Sequence, residues 1–304
     1  MARLPIITRL LNMNISAPVK GALWMLLSAG SLAGLTGIVH YMSAGLPPFE
    51  IAFFRSFFGF LILSPWLLRS GIGILRTKRA RLYTLRCAFG AATMLMWFSA
   101  LAMVPLADAV ALGFTSPLFV VIGAALFLGE IVRGKRLGAT LCGFAGALII
   151  LQPGSGVLDV GAILVLLSAV TLAGANLSVK ELSRTEPVQA IVTYMVIFMV
   201  PLTLIPTLFV WQTPTPLQLV ELAGLAGVAT LGNYAMTRSV AVADASAVMP
   251  YDYARLPFAA LIGFFIFGEV PDALTWVGAV VIIGSTLYIA VKEAQSQGSP
   301  AGTE

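Results

Sequence analysis

Apolar residues along this chain run in ten long blocks, at 20–42, 47–69, 82–103, 106–128, 135–152, 158–180, 187–211, 217–239, 244–268 and 273–292. Short polar connections separate them. About 20 residues of α-helix cross the ~30 Å hydrocarbon core of a bilayer, and each block is close to that length. In lipid every backbone polar group needs a partner within the chain, which leaves helices or closed barrels. A barrel strand alternates with a period of two, whereas these blocks are continuously apolar. The pattern predicts an all-α membrane protein with ten transmembrane helices.

The blocks repeat. A shift of 140 residues lays GALWMLLSAGSLAGLTGIVHYMS (Gly21–Ser43) over GAILVLLSAVTLAGANLSVKELS (Gly161–Ser183), with 11 of 23 positions identical. Further on, GAAT from Gly90 answers GVAT from Gly227, and PLADAVAL from Pro105 answers AVADASAV from Ala241. FLGE ending at Glu130 answers IFGE ending at Glu269. Each copy holds five helices, an odd number, so the second copy enters the membrane upside down. The expected plan is two inverted five-helix repeats, residues 19–152 and 158–292, with tails at 1–18 and 293–304. Such inverted repeats are a frequent architecture of secondary transporters.

Composition agrees: 59% of the 304 residues are hydrophobic and 10% are charged, far from the roughly 25% charge of a soluble domain. Sixteen of the 18 basic residues fall in the tails and in the even-numbered connections, including the run Arg69, Arg76, Lys78, Arg79, Arg81 and Arg86. The opposite loops hold none, though they contain Asp108, Asp159, Glu221 and Asp272. Basic loops stay on the cytoplasmic side, so both termini are expected in the cytoplasm and the chain in the inner membrane. The run from Gly21 is too long for a signal-peptide core and reads as the first helix. Residues 1–17 read as an interfacial helix or a tail, with Met13 an alternative start. Cys87 and Cys142 form no CxxC pair and read as buried packing residues.

These features resemble the drug/metabolite transporter superfamily, specifically its EamA-type ten-helix members. The residues that carry the resemblance are the duplicated unit, the arginine in FEIAFFRSF (Arg55), and the endings SPLFVVIGAALFLGE to Glu130 and RLPFAALIGFFIFGE to Glu269. The resemblance spans Gly21 to Lys292 and implies a substrate cavity between the halves near the bilayer centre. It also implies substrates that range from amino acids and their derivatives to riboflavin and S-adenosylmethionine. Two departures stand out. The position matching Arg55 in the second half, near Tyr194, is not basic, and the Asp-to-Glu spacing is 22 residues from Asp108 to Glu130 against 25 from Asp244 to Glu269.

A charge inside a transmembrane helix is costly unless paired or wet, so such charges lead the candidate list. Asp252 and Arg255 stand three apart in PYDYARLP, with Tyr251 four from Arg255, all on one helix face. Arg255 lies ~16 Å from the segment start, near the midplane. Two readings stand: a neutralising structural ion pair, or a polar patch on the cavity wall that meets a charged or zwitterionic substrate. Pro250 and Pro257 favour the second, because bent helices with freed carbonyls line cavities. Asn176, Asn233 and Tyr234 either line the same cavity or bond neighbouring helices, and Trp97, Thr115 and Ser116 are the first-half candidates.

Arg55 sits ~12 Å inside its helix and Glu50 is about 140° away around it. Both read as structural or gating charges, with Arg55 expected on helix-end carbonyls or on a carboxylate of another helix. Trp24, Trp66, Trp211 and Trp276 read as interfacial anchors, and His40 as an interfacial histidine. Glu130 and Glu269 read as turn residues, and Gly30, Gly34 and Gly37 as a face for close helix approach.

No phosphate-binding glycine loop, HExxH or His/Cys cluster occurs, so no cofactor, metal, nucleic-acid partner or enzyme activity is expected. The reading is a secondary transporter of a small polar or zwitterionic metabolite by alternating access, with export of an amino-acid-like compound favoured. Uptake of a vitamin or cofactor of the riboflavin or S-adenosylmethionine type is the alternative. A non-transporting partner subunit or membrane enzyme is the competing class. A homodimer is left open.

Overall fold

A computed structural model describes residues 17–70, 77, 79–128, 134–151, 159–243 and 248–297. They form ten membrane segments: α1 (Ala17–Met42), α2 (Pro48–Ser70), α3 (Ala80–Leu101), a split fourth segment of α4 (Leu106–Gly113) and α5 (Ser116–Leu128), α6 (Gly134–Leu151), α7 (Val160–Leu182), α8 (Val188–Thr207) and α9 (Pro216–Val242). The ninth is a 3₁₀ turn (Met249–Ala254), α10 (Arg255–Ile262) and a π turn (Gly263–Phe267), and α11 (Ala273–Gln297) is the tenth. Seven segments are long and apolar enough to cross a membrane by themselves, and Leu137–Leu151 and Ala273–Tyr288 are shorter apolar helices. Glu130 and Asp244 lie outside the described residues.

Local chemistry sets several helix starts. Pro48 opens α2 and Pro216 opens α9, where a missing N–H costs nothing. Asp159 caps α7 by accepting from the Gly161 N–H, and Thr215 forms a reciprocal capping box with Gln218 at the start of α9. The π turn ends at Gly268, whose φ of 69° is left-handed and suits a residue without Cβ.

Packing repeats the sequence duplication. The segment-one helix α1 lies along α9, and α3 along α7; α2 pairs with α8, and α6 with α11. Exchange of the two halves turns the first pairing into the second and maps the other two onto themselves. That is the pattern of a two-fold axis between the repeats, and an odd helix number per repeat makes the repeats inverted. Phe114 and Tyr253 hold matching places when the two Pro–apolar–GE endings are aligned, and their rings meet edge-on at 4.9 Å. A contact between matching residues lies at the axis, so these rings mark the centre of the molecule.

One contact shows how the halves differ while the shape is kept. A Cβ added to Gly37 on α1 would sit 2.7 Å from Ile262 on α10, and one added to Gly123 on α5 would sit 2.4 Å from Leu177 on α7. Gly37 corresponds to Leu177 and Ile262 to Gly123, so knob and hole have changed sides. Gly30 likewise faces Phe258, but Gly34 meets nothing within 4 Å, so only part of the expected glycine face is a packing seam. At Gly146 and Gly278 the helices α6 and α11 cross with backbone against backbone. They part towards Cys142, which faces a groove of ≈ 510 Å³ and is exposed. Cys87 is buried as expected. Trp24 is also buried, at 9% exposure, and so is not an interfacial anchor; helix α9 covers it.

Candidate functional site: a cleft that opens at one end

The end of the bundle with the start of α1 and the end of α11 is called here the terminal end, and the other the distal end. The two ends differ in filling. On α7, Val165, Ser168 and Ala169 are buried in the distal half, whereas Leu172, Asn176 and Lys180 on the same face are exposed in the terminal half. Leu167 and Val170 stand on the opposite, outer side. On α9, Leu222 and Ala226 are buried distally, and Asn233 and Thr237 on that face are exposed towards the terminal end. An interior face that is covered at one end and bare at the other describes a cleft between the halves, closed distally.

The discontinuous segments four and nine meet at its apex. α5 starts at Ser116 and α10 at Arg255, matching positions, so both helices break at the same level. Discontinuous helices are where transporters of inverted-repeat design bind substrate, and here the N–H groups of Phe114, Thr115 and Arg255 stay paired within the chain. Here Arg255 Nη2 donates to both oxygens of Asp252, at 2.6 and 2.9 Å, while the Arg255 Nε is buried without a partner. The guanidinium also lies 5.9 Å from the centre of the Phe114 ring. Tyr251 is 44% exposed, one residue before the pair.

The sequence candidates separate into two groups. Asn176, Asn233 and Tyr251 are exposed and Asp252 and Arg255 half-buried; Tyr234 is exposed too, edge-on to Trp24. The Asn233 amide donates to its own helix at Ala229 and keeps its oxygen free for another donor. Thr115 and Ser116 are buried, and the Thr115 hydroxyl is spent on the Leu112 carbonyl. Trp97 is half-buried against Gly113. These three form the roof of the cleft. Arg55 meets neither carbonyl nor carboxylate among the described residues; its Nη1 lies 3.1 Å from the Met94 sulfur.

The distal end is held by polar contacts between the halves. Glu50 is fully buried and its Oε2 accepts from the Gln212 N–H; Thr207 donates to the Phe49 carbonyl. Glu269 accepts from the Leu106 N–H at 2.9 Å and faces His40 Nε2 at 3.4 Å, and Thr275 donates to Asp108. His40 Nδ1 meets the Leu101 carbonyl. The ring thus lies between the end of α3 and the turn after the ninth segment. Read as a turn residue, Glu269 also joins the two halves through Leu106 and His40, contacts that no local sequence signal marks. At the terminal end Arg79 pairs with Glu181, and Glu186 accepts from Thr77 and Tyr83. Arg86, counted in sequence among the loop charges, stands six residues inside α3.

Comparison with known proteins decides the family. The EamA-like transporter family matches residues 19–152 and 159–291. The chain belongs to that family. It is 35% identical over 291 residues to a riboflavin transporter of Rhizobium johnstonii, covering 94% of this chain and 96% of that protein. It is 31% identical over 273 residues to an S-adenosylmethionine uptake transporter of Rickettsia bellii, covering 90% and 94%. A pseudopaline exporter of Pseudomonas aeruginosa is 34% identical over 269 residues, covering 87% and 93%. This EamA-family chain is a multi-pass membrane transporter of small metabolites, in the drug/metabolite superfamily, and not an enzyme.

Proposed function

We propose that this transporter imports a flat, polar heteroaromatic metabolite of the riboflavin class across the bacterial cytoplasmic membrane by alternating access. The carrying observation is the cleft wall between α7, α9 and the broken ninth segment, where Asn176, Asn233 and Tyr251 offer neutral amide and phenol groups. Such groups match a compound rich in carbonyls, ring nitrogens and hydroxyls, and cost less to desolvate than charges. The Asp252–Arg255 pair at the apex is internally neutralised and so does not demand a charged ligand. Similarity to a riboflavin transporter over nearly the whole chain supports the same reading. The repeats 19–152 and 158–292 then act as the two gates, with the tails and the terminal end in the cytoplasm.

The test is uptake of labelled riboflavin by a riboflavin-auxotrophic bacterium that expresses the protein. Growth and uptake at micromolar vitamin, absent from empty-vector cells, are expected; membrane-resident protein with no uptake overturns the reading. Orientation is tested with single cysteines: one at Thr213 should react with an impermeant reagent in intact cells, and one at Thr77 should not. A second reading, export of an amino-acid-like compound, draws on the likeness to the pseudopaline exporter and on the paired charges of Asp252 and Arg255. Accumulation of labelled riboflavin against efflux of labelled amino acids separates the two.

A further inference from the structure

We propose that Arg86 and Arg55 build an anion-binding site between α2, α3 and α8, which takes the carboxylate or phosphate group of a small organic anion. Both guanidiniums lie inside the helical bundle. Arg86 stands ~9 Å from the start of α3, and Arg55 ~10 Å from the start of α2 at the other end. Arg86 Nη2 is 3.1 Å from the Met195 sulfur and Arg55 Nη1 is 3.1 Å from the Met94 sulfur. The Nε of each is buried with no hydrogen-bond partner. Among the described residues neither arginine pairs with a carboxylate.

Both guanidiniums lie against the same stretch of α3. A Cβ at Gly90 would be 2.7 Å from Arg86 Nη1 and 3.7 Å from the Met199 sulfur, so the guanidinium is folded over the α3 backbone at Gly90. Arg55 meets α3 at Met94, one helical turn further, or ~6 Å along the axis. A thioether is a weak acceptor and leaves a guanidinium largely unsatisfied. Two buried charges with no counter-charge among the described residues weaken the fold. Stability is therefore no reason for them, and an incoming anion is. The planar forks of two arginines suit carboxylate or phosphate oxygens, and Met94, Met195 and Met199 give a soft, adaptable wall for the carbon skeleton.

The site adjoins the cleft. On α3 the exposed Leu85 marks the outer side, whereas Gly90 and Trp97 turn inward, and Trp97 reaches Gly113 at the cleft roof. The anion is then either an acidic group on the transported compound or a separate anion carried in exchange. This goes beyond the riboflavin reading, since riboflavin itself is neutral.

The experiment is thermal unfolding of the purified full-length protein with succinate, inorganic phosphate or riboflavin 5′-phosphate, each against chloride at equal ionic strength. At least one of these should raise the wild-type midpoint by several degrees. Arg86→Gln and Arg55→Gln should each weaken that anion's apparent affinity by about tenfold or more. Their ligand-free midpoints should equal or exceed wild type, because each loses an unpaired buried charge. Arg86→Met and Arg55→Met supply the same readout if a glutamine variant misfolds. A response to riboflavin 5′-phosphate alone assigns the anion to the transported compound, and a response to succinate or phosphate assigns it to a separate anion. No midpoint change beyond chloride in wild type overturns the proposal. So does a response that survives in the Arg55→Gln, Arg86→Gln double variant, or a drop in ligand-free midpoint in every variant. Riboflavin uptake is measured separately, so failure of one reading leaves the other standing.

Discussion

Segments four and nine hold matching places in the two repeats, break at the same level and touch at Phe114 and Tyr253. Yet they are built for different work. α4 is buried almost throughout, and its break is sealed by Thr115, whose hydroxyl returns to Leu112. The ninth segment winds as 3₁₀, α and π in turn, carries Asp252 and Arg255, and leaves Tyr251 bare to the cleft. Duplication supplied one backbone plan twice, and only the packing at the break is common to both copies. The fourth segment is filled with buried side chains, and the ninth keeps an exposed Tyr251 beside the half-buried Asp252 and Arg255. The Gly37–Ile262 and Leu177–Gly123 contacts teach the same lesson for volume: what the symmetry preserves is the filled space, not which helix fills it.

The sharpest way to break this contrast is at Arg255. Arg255→Leu should abolish transport and destabilise the protein by about 1–3 kcal/mol, because the half-buried Asp252 is left without its partner. The Asp252→Leu, Arg255→Leu double variant should regain folding and membrane level. If it also regains near-wild-type transport per folded molecule, the ninth segment is structural like the fourth, and the comparison fails. Arg255→Lys should transport poorly, since an ammonium lacks the buried Nε–H and the flat face that Arg255 turns towards the Phe114 ring.

The volume exchange is tested at Gly37. Gly37→Leu should overpack the α1–α10 seam and cost about 1–3 kcal/mol. Adding Ile262→Gly recreates the arrangement of the other half and should restore part of the thermal midpoint. Failure of the pair to improve on Gly37→Leu alone would mean the two seams are not equivalent in shape.

A smaller effect is expected at the distal latch. His40→Ala removes the contacts with Leu101 and Glu269, leaving Glu50, Thr207 and Asp108 contacts to hold that end. Loss of one such link among several should favour the distally open state by about 1 kcal/mol, a several-fold shift in population. A cysteine at Ala107, buried in the closed distal half, should then react faster with a thiol reagent. An unchanged rate removes the latch role. The smallest effect is expected at Tyr234: Tyr234→Phe keeps the edge contact with Trp24 and should change transport less than twofold, whereas Asn233→Ala should reduce it more.

Much of the architecture was legible because lipid leaves the backbone so few choices. Ten apolar runs, their duplication and an odd number per copy fix the helices and the inverted plan without any side-chain detail. The ninth segment, by contrast, reads as one apolar run, and its three windings follow from Pro250, Pro257 and the left-handed Gly268 acting within a packed bundle. Asn176, Asn233, Tyr251 and Arg255 could be nominated because polar groups in apolar helices are conspicuous. Thr115 and Ser116 look equally polar in sequence but are spent inside the roof.

What the sequence alone determined is therefore the number of helices, their pairing into two copies and the depth of Arg55 and Arg255, since these depend on hydrophobicity and on distance along one helix. Only the tertiary structure decided which end is closed, that His40 faces Glu269 there, and that Arg86 and Arg55 rest on methionine sulfurs rather than on carboxylates. Those facts depend on which faces of non-consecutive helices come together. Residues separated by 229 positions, such as His40 and Glu269, carry no local signal of their contact.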